Sequence, residues 1–233
     1  AVGCGRGLHR HTTKFRNTRH RTELGGLTRE QQFQVIQNAA TMYEQGIGQR
    51  PTLFRPGCFS ANDATYATLT DLGFVGGSVS IPGRIWPDRC CVWSGACPYV
   101  HRAHAAFRQR RGDLPFIDVP LSVDMTGPLL EHPVGFVHYP DLRPGGVYAD
   151  DEPDPRDHRQ LLRNILHRMA SDNPPMRTLV IDVHNDREFT GETTRAARHL
   201  RALLDAIPRE AAALGWRPVG ATLADVVRLF AAP

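Results

Sequence analysis

Thr52–Val79, TLFRPGCFSANDATYATLTDLGFVGGSV, changes its periodicity twice within one short stretch. Thr52–Arg55 is a short apolar run that reads as a strand. Pro56 and Gly57 then break it. Asn62–Leu72 reads as a helix, started by Ser60 or Asn62 and stopped by Gly73. Phe74–Val79 reads as a second strand. Strand, helix and strand in this order are the unit from which parallel sheets are made.

The same alternation extends to both sides. Gly3–Leu8 is expected to be a short strand. Thr28–Glu44 is expected to be a helix, with Thr28 as N-cap, Gln31 completing a capping box, and Phe33, Ile36, Ala40 and Tyr43 on one face. Downstream, Phe116–Val119 reads as a strand and Asp157–Ala170 as a helix. Thr178–His184 (TLVIDVH) is the most continuous β-branched run and reads as a buried strand. Residues 193–214 form a long helical pattern with Pro208 as a break. Trp216–Val219 reads as a last strand and Thr222–Phe230 as a closing helix. Residues 83–115 and 126–154 lack periodicity and read as long loops that build a site or lid. The fold class is therefore α/β, a parallel sheet or (β/α) barrel, in a single domain spanning residues 1–233.

Composition narrows the function classes. With 41% hydrophobic and 22% charged residues, the chain is of globular type. No apolar run approaches the length of a membrane span. The net charge is +4, and Lys14 is the only lysine, so the positive charge is nearly all arginine. The arginines are spread along the chain without aromatic interleaving, so no nucleic-acid partner is expected. Five cysteines (Cys4, Cys58, Cys90, Cys91, Cys97) are an odd number without framework spacing, which favours free thiols in a reducing compartment. With no visible signal peptide, a cytoplasmic location is expected.

Polar residues gather at the expected carboxyl ends of strands, where barrels of this kind carry their sites. His9-x-His11 follows the first strand, and two imidazoles at that spacing can close on one transition metal. Arg55 ends the second strand, where a fixed guanidinium can orient a carboxylate. His184 ends TLVIDV, where it can act as a general acid. Asp118 stands in the strand Phe116–Val119.

Six segments, in order, resemble the polysaccharide deacetylases of the NodB-homology superfamily, in a divergent branch with an H-x-H metal motif. They are Gly7–His11, Arg50–Gly57, Asp71–Phe74 running into Ser78-Val79, Trp93–Ala96 with Pro98-Tyr99, Asp118–Ser122 and Val180–His184. The resemblance implies a distorted (β/α) barrel. It implies a divalent metal ion, commonly zinc, which with a carboxylate activates water against an N-acetyl carbonyl. It makes His9 and His11 metal ligands, Arg55 the residue that orients the base, and His184 the acid that protonates the departing amine. It places Trp93 and Tyr99 on the substrate wall, against an N-acetylated oligo- or polysaccharide. The family's aspartate pair precedes its histidine motif. No matching segment stands here, so a barrel incomplete at its N-terminus is expected, with Asp118, Asp182 or Asp186 as spatial substitutes.

Two other readings differ in what they require. An amidohydrolase-like barrel needs further histidines at strand ends, whereas His101, His104, His132 and His138 read as loop residues. A non-catalytic or degenerate carbohydrate-binding barrel needs no aspartate pair at all. The sequence leaves oligomeric state open.

Overall fold

A computed structural model describes residues 7–12, 22–145, 157–184, 188–191 and 193–232. Cys4, Lys14, Asp186 and residues 3–6 of the expected strand Gly3–Leu8 lie outside the described residues. In chain order the elements are β1 (Leu8–Arg10), α1 (Arg29–Ile47), β2 (Leu53–Pro56), α2 (Thr65–Asp71), β3 (Gly76–Gly77), β4 (Ile85–Trp86), β5 (Cys91–Val92), β6 (His101–Arg102), β7 (Ile117–Asp118), β8 (Leu130–His132), β9 (Phe136–His138), α3 (His158–Asp172), α4 (Arg195–Ala212) and α5 (Leu223–Ala231). No helix among the described residues is long and apolar enough to cross a membrane. The chain divides into two compact units. The first comprises Ala1–Pro120, Glu131–His138 and Ala221–Pro233, and the second Leu121–Leu130 and Tyr139–Gly220.

The first unit contains a five-stranded sheet in the order β1-β2-β3-β7-β6. β1, β2, β3 and β7 run parallel, and β6 closes one side antiparallel to β7. The strand–helix–strand reading of Thr52–Val79 holds, with shorter elements. The parallel register places His9 beside Arg55, and Phe54 beside Gly77. The expected barrel differs from this: among the described residues the sheet is open, with β1 and β6 at its edges.

β3 is a pair of glycines for a steric reason. A Cβ at Gly77 would strike the Phe54 carbonyl, and one at Gly76 would strike Val227 and the Ile117 carbonyl. The missing side chains let α5 pack on β3. Phe54, Tyr66, Leu69, Trp93, Phe116 and Ile117 form the fully buried centre of this unit.

α1 opens on the expected capping box: the Gln31 N–H donates to Thr28 Oγ1 at 3.3 Å, and the Thr28 N–H donates to Gln31 Oε1 at 3.0 Å. Its buried face is Gln32, Val35, Ile36, Ala39 and Ala40. That face is rotated from the expected one, because Gln32 is drawn inward by hydrogen bonds to Leu27, Asn62 and Thr65. The expected long loop of residues 83–115 instead carries β4, β5 and β6. His132 and His138 lie not in loops but on strands β8 and β9, joined by a turn at Gly135, whose φ is +84°. The second sheet has the order β5-β4-β9-β8.

The second unit is built on α3 packed against α4. Leu161, Leu162, Ile165, Leu166 and Met169 are buried from α3, and Ala196, Ala197, Leu203, Ala206 and Ala211 from α4. α4 runs through Pro208 instead of breaking there. Two expected strands do not form. Thr178–His184 is coil, held by the Val180 N–H donating to Ser122 Oγ at 2.9 Å and the Ser122 N–H donating to the Val180 carbonyl at 3.2 Å. No described strand pairs with it, and β-branched residues make a strand only where a neighbour completes the ladder. Trp216–Val219 is also coil, with Val219 80% exposed.

Candidate metal centre

The carboxyl end of β1 turns an alternating strand into a cluster of donors. Leu8 is buried, and His9 and His11, two residues apart, project on one side. Their Nε2 atoms are 3.2 Å apart, with the rings edge to face. His9 Nδ1 lies 3.2 Å from the Arg55 carbonyl of the neighbouring strand.

The end of β2 supplies the other wall. The turn Gly57–Phe59 brings the backbone under the His11 ring, and a Cβ at Gly57 would run into that imidazole. Cys58 and Phe59 both adopt left-handed backbone, each with φ +54°. Two successive non-glycine residues there store about 1–3 kcal/mol each. The turn aims Cys58 at His11, with Sγ 3.9 Å from Nδ1. The Arg55 guanidinium stacks over the Phe59 ring, 4.7 Å from its centroid.

Glu23 brings a carboxylate. It is 3% exposed. Arg89 reaches Oε1 at 3.3 Å, and the Thr12 hydroxyl lies 3.4 Å from Oε2. The same hydroxyl donates to the Thr22 carbonyl at 2.6 Å, so residues 12 and 22 are drawn together. One donor atom from each of His11, Glu23 and Cys58 lies within 4.8 Å of the others. Nitrogen, oxygen and sulfur donors this close suit a divalent transition metal.

The other expected site residues are placed as follows. Asp118 is fully buried and structural. It accepts from the Val79 N–H at 2.9 Å and from the Ser80 hydroxyl at 2.5 Å. Trp93, expected on a substrate wall, is 0% exposed and has no face for a sugar; its indole N–H donates to the Phe59 carbonyl at 2.7 Å. Tyr99 is also buried. In the second unit, His184 is half exposed, and its Nδ1 lies 3.9 Å from Asp182 Oδ2. Asp182 is buried against Arg143 at 3.1 Å, and Arg143 also faces Asp141 at 3.6 Å.

Sequence reasoning missed Glu23 and treated Cys58 only as one free thiol among five. The family pattern points upstream and to aspartates, whereas Glu23 is the first carboxylate after the histidine pair. Cys58 was signalled by its place directly after the strand-ending Arg55-Pro56-Gly57.

A second polar group lies on β6 and the preceding loop. The Arg111 Nε–H donates to Cys97 Sγ at 3.1 Å, and His101 Nδ1 donates to the Tyr99 carbonyl at 2.8 Å. Burial pushes the Cys97 thiol up, but the hydrogen bond and charge of His101, together with Arg111, outweigh it and bring it down to about 7.

No protein-family model matches the chain, and no curated protein matches it. Among solved structures the chain is similar to a "putative polysaccharide deacetylase" from Mycobacterium smegmatis. The identity is 14%, over 78% of this chain and 51% of that one, with a TM-score of 0.44. The chain spans about half the length of that protein.

Proposed function

We propose that the chain is a metal-dependent hydrolase of polysaccharide-deacetylase type, removing acetyl groups from N-acetylated sugars. The observation that carries this reading is the donor cluster at the carboxyl end of β1. Two imidazoles are 3.2 Å apart at their Nε2 atoms, with a buried carboxylate and a thiol within reach of His11. The substrate class is inferred from the six resembling segments. The reading also takes the four parallel strands as part of a distorted (β/α) barrel.

A divalent cation, zinc by preference, supplies Lewis-acid activation of water and of the acyl carbonyl. The chain's residues do the rest. His9, His11, Glu23 and Cys58 are the groups available to hold the ion. Arg55 fixes His9 through its carbonyl. His184 is the proton donor to the departing amine, with its Nδ1 3.9 Å from Asp182 Oδ2. Arg143 against Asp182 holds that carboxylate in place.

The test is acetate release from N-acetylated chito-oligosaccharide by the full chain, stripped with chelator and reloaded with zinc. Acetate release that requires metal and falls to background in His11→Ala is the expected result. His184→Ala should keep the metal and lose turnover. A chain that binds metal stoichiometrically, yet releases no acetate from N- or O-acetylated oligosaccharides, is not a deacetylase.

A further inference from the structure

The hydrogen-bond chain at the end of β1 fixes which nitrogen of His11 is available as a donor. The Arg55 carbonyl can only accept, so His9 Nδ1 carries a proton. In the neutral His9 ring, Nε2 is then an acceptor. Its neighbour 3.2 Å away, His11 Nε2, must therefore carry the proton between them. In the neutral His11 ring this leaves the lone pair on Nδ1, the nitrogen that faces Cys58 Sγ at 3.9 Å.

We propose that His11 Nδ1, the Glu23 carboxylate and the Cys58 thiolate form a three-donor site for one thiophilic divalent cation of the zinc class. His9 stands behind it as the acceptor that sets the His11 tautomer. The proposal rests on reading the β1 end as a metal site, but not on the deacetylase activity.

Four observations support this set over a pair made by His9 and His11 alone. Zinc bond lengths give tetrahedral donor–donor edges of about 3.4–3.6 Å; one donor atom from each of the three residues already lies within 4.8 Å of the others, and His11 Nδ1 is 3.9 Å from Cys58 Sγ. A thiolate and a carboxylate balance the charge of a divalent ion, which two neutral imidazoles do not. A metal-bound imidazole commonly donates its other N–H to a further acceptor, and His9 is in place to be that acceptor. Finally, the two left-handed residues at 58 and 59 hold Cys58 toward His11 at a cost in backbone energy. Binding replaces the Cys58 S–H bond with a metal–sulfur bond, and the proton leaves to solvent. Arg89 holds Glu23 through Oε1 at 3.3 Å, and a carboxylate offers about four lone-pair positions. Three protein donors leave a fourth position for water, the pattern of catalytic zinc sites.

The test loads the full chain, freed of metal by chelation, with cobalt(II). One equivalent should bind and give a thiolate-to-cobalt charge-transfer band in the near ultraviolet. The band should vanish in Cys58→Ser. Stoichiometric binding should vanish in His11→Ala and weaken strongly in Glu23→Gln. His9→Ala should keep the band and weaken affinity by about 10–100-fold, as loss of an outer-shell partner does. The opposite pattern, binding abolished in His9→Ala and full stoichiometry in Cys58→Ser, overturns the proposal in favour of a site between the two Nε2 atoms. In the unsubstituted chain, zinc should protect Cys58 from iodoacetamide, read by peptide mass mapping. Labelling of Cys58 unchanged by saturating zinc also overturns it. Acetate release without a Cys58 band would keep the hydrolase reading and remove this donor set. A Cys58 band without acetate release would do the reverse.

Discussion

Cys97 and Cys91 show how far neighbours can separate two thiols of one unit. Burial pushes Cys91 up to about 12, whereas His101 and Arg111 bring Cys97 down to about 7 against the same kind of penalty. The thiolate is the nucleophile, so Cys97 should be alkylated well before Cys91 at neutral pH. Its labelling rate should rise through pH 7, and Arg111→Met should move that rise to higher pH. Mass mapping after timed iodoacetamide treatment measures both effects. Equal labelling of the two cysteines would contradict this account. None of it was legible in the sequence, because Cys97, His101 and Arg111 meet only when the loop folds back beside β6. His9 and His11 were legible, since a spacing of two on a strand puts both on one side. Glu23 was not, because its approach to His11 comes from the tertiary meeting of residues 12 and 22.

At the scale of elements, helices were easier to read than strands. Thr28 with Gln31 and Thr222 with Asp225 are local signals, and both caps form as capping boxes. A strand is defined by a neighbour that may lie far along the chain. Among the described residues no strand pairs with the run around Val180, which is coil, while β8 and β9 pair across a turn that composition did not announce. α3 and α4 also share a charge cluster that no local pattern shows. Arg163 and Arg159 reach Glu210 at 2.8 and 2.9 Å and hold its carboxyl down at about 2. The folded value lies below the ordinary one near 4.3, so this contribution is present above that ordinary value and is lost as pH falls through about 2. The second unit should therefore lose stability as pH falls from about 4.5 towards 2, and Glu210→Gln should flatten the slope. The midpoint of urea unfolding, followed across that pH range, is the measurement. Because the Arg159 and Arg163 side chains are 57% and 41% exposed, the slope should also shrink in high salt.

At the scale of the molecule, the parallel sheet follows from the strand–helix alternation, whereas the division into two units depends on contacts between distant stretches. The first unit is assembled from three separate stretches of chain, the last of them carrying α5. α5 packs on β3 and β7, and Val227 occupies the space that Gly76 leaves open. Removing residues 221–233 should therefore destabilise the first unit while leaving the α3–α4 pair folded. Hydrogen exchange should show protection lost in β2, β3 and β7 and kept in α3. Uniform loss across both units would show that they do not unfold separately. The late position of α5 also orders events during synthesis. Every residue of the second unit leaves the ribosome before α5 does, so the sheet that carries the histidine pair must wait, partly uncovered, while a later-encoded neighbour has already had time to fold. Any holding chaperone would then be expected to act on β3 and β7 in that interval, on the surface that α5 finally covers.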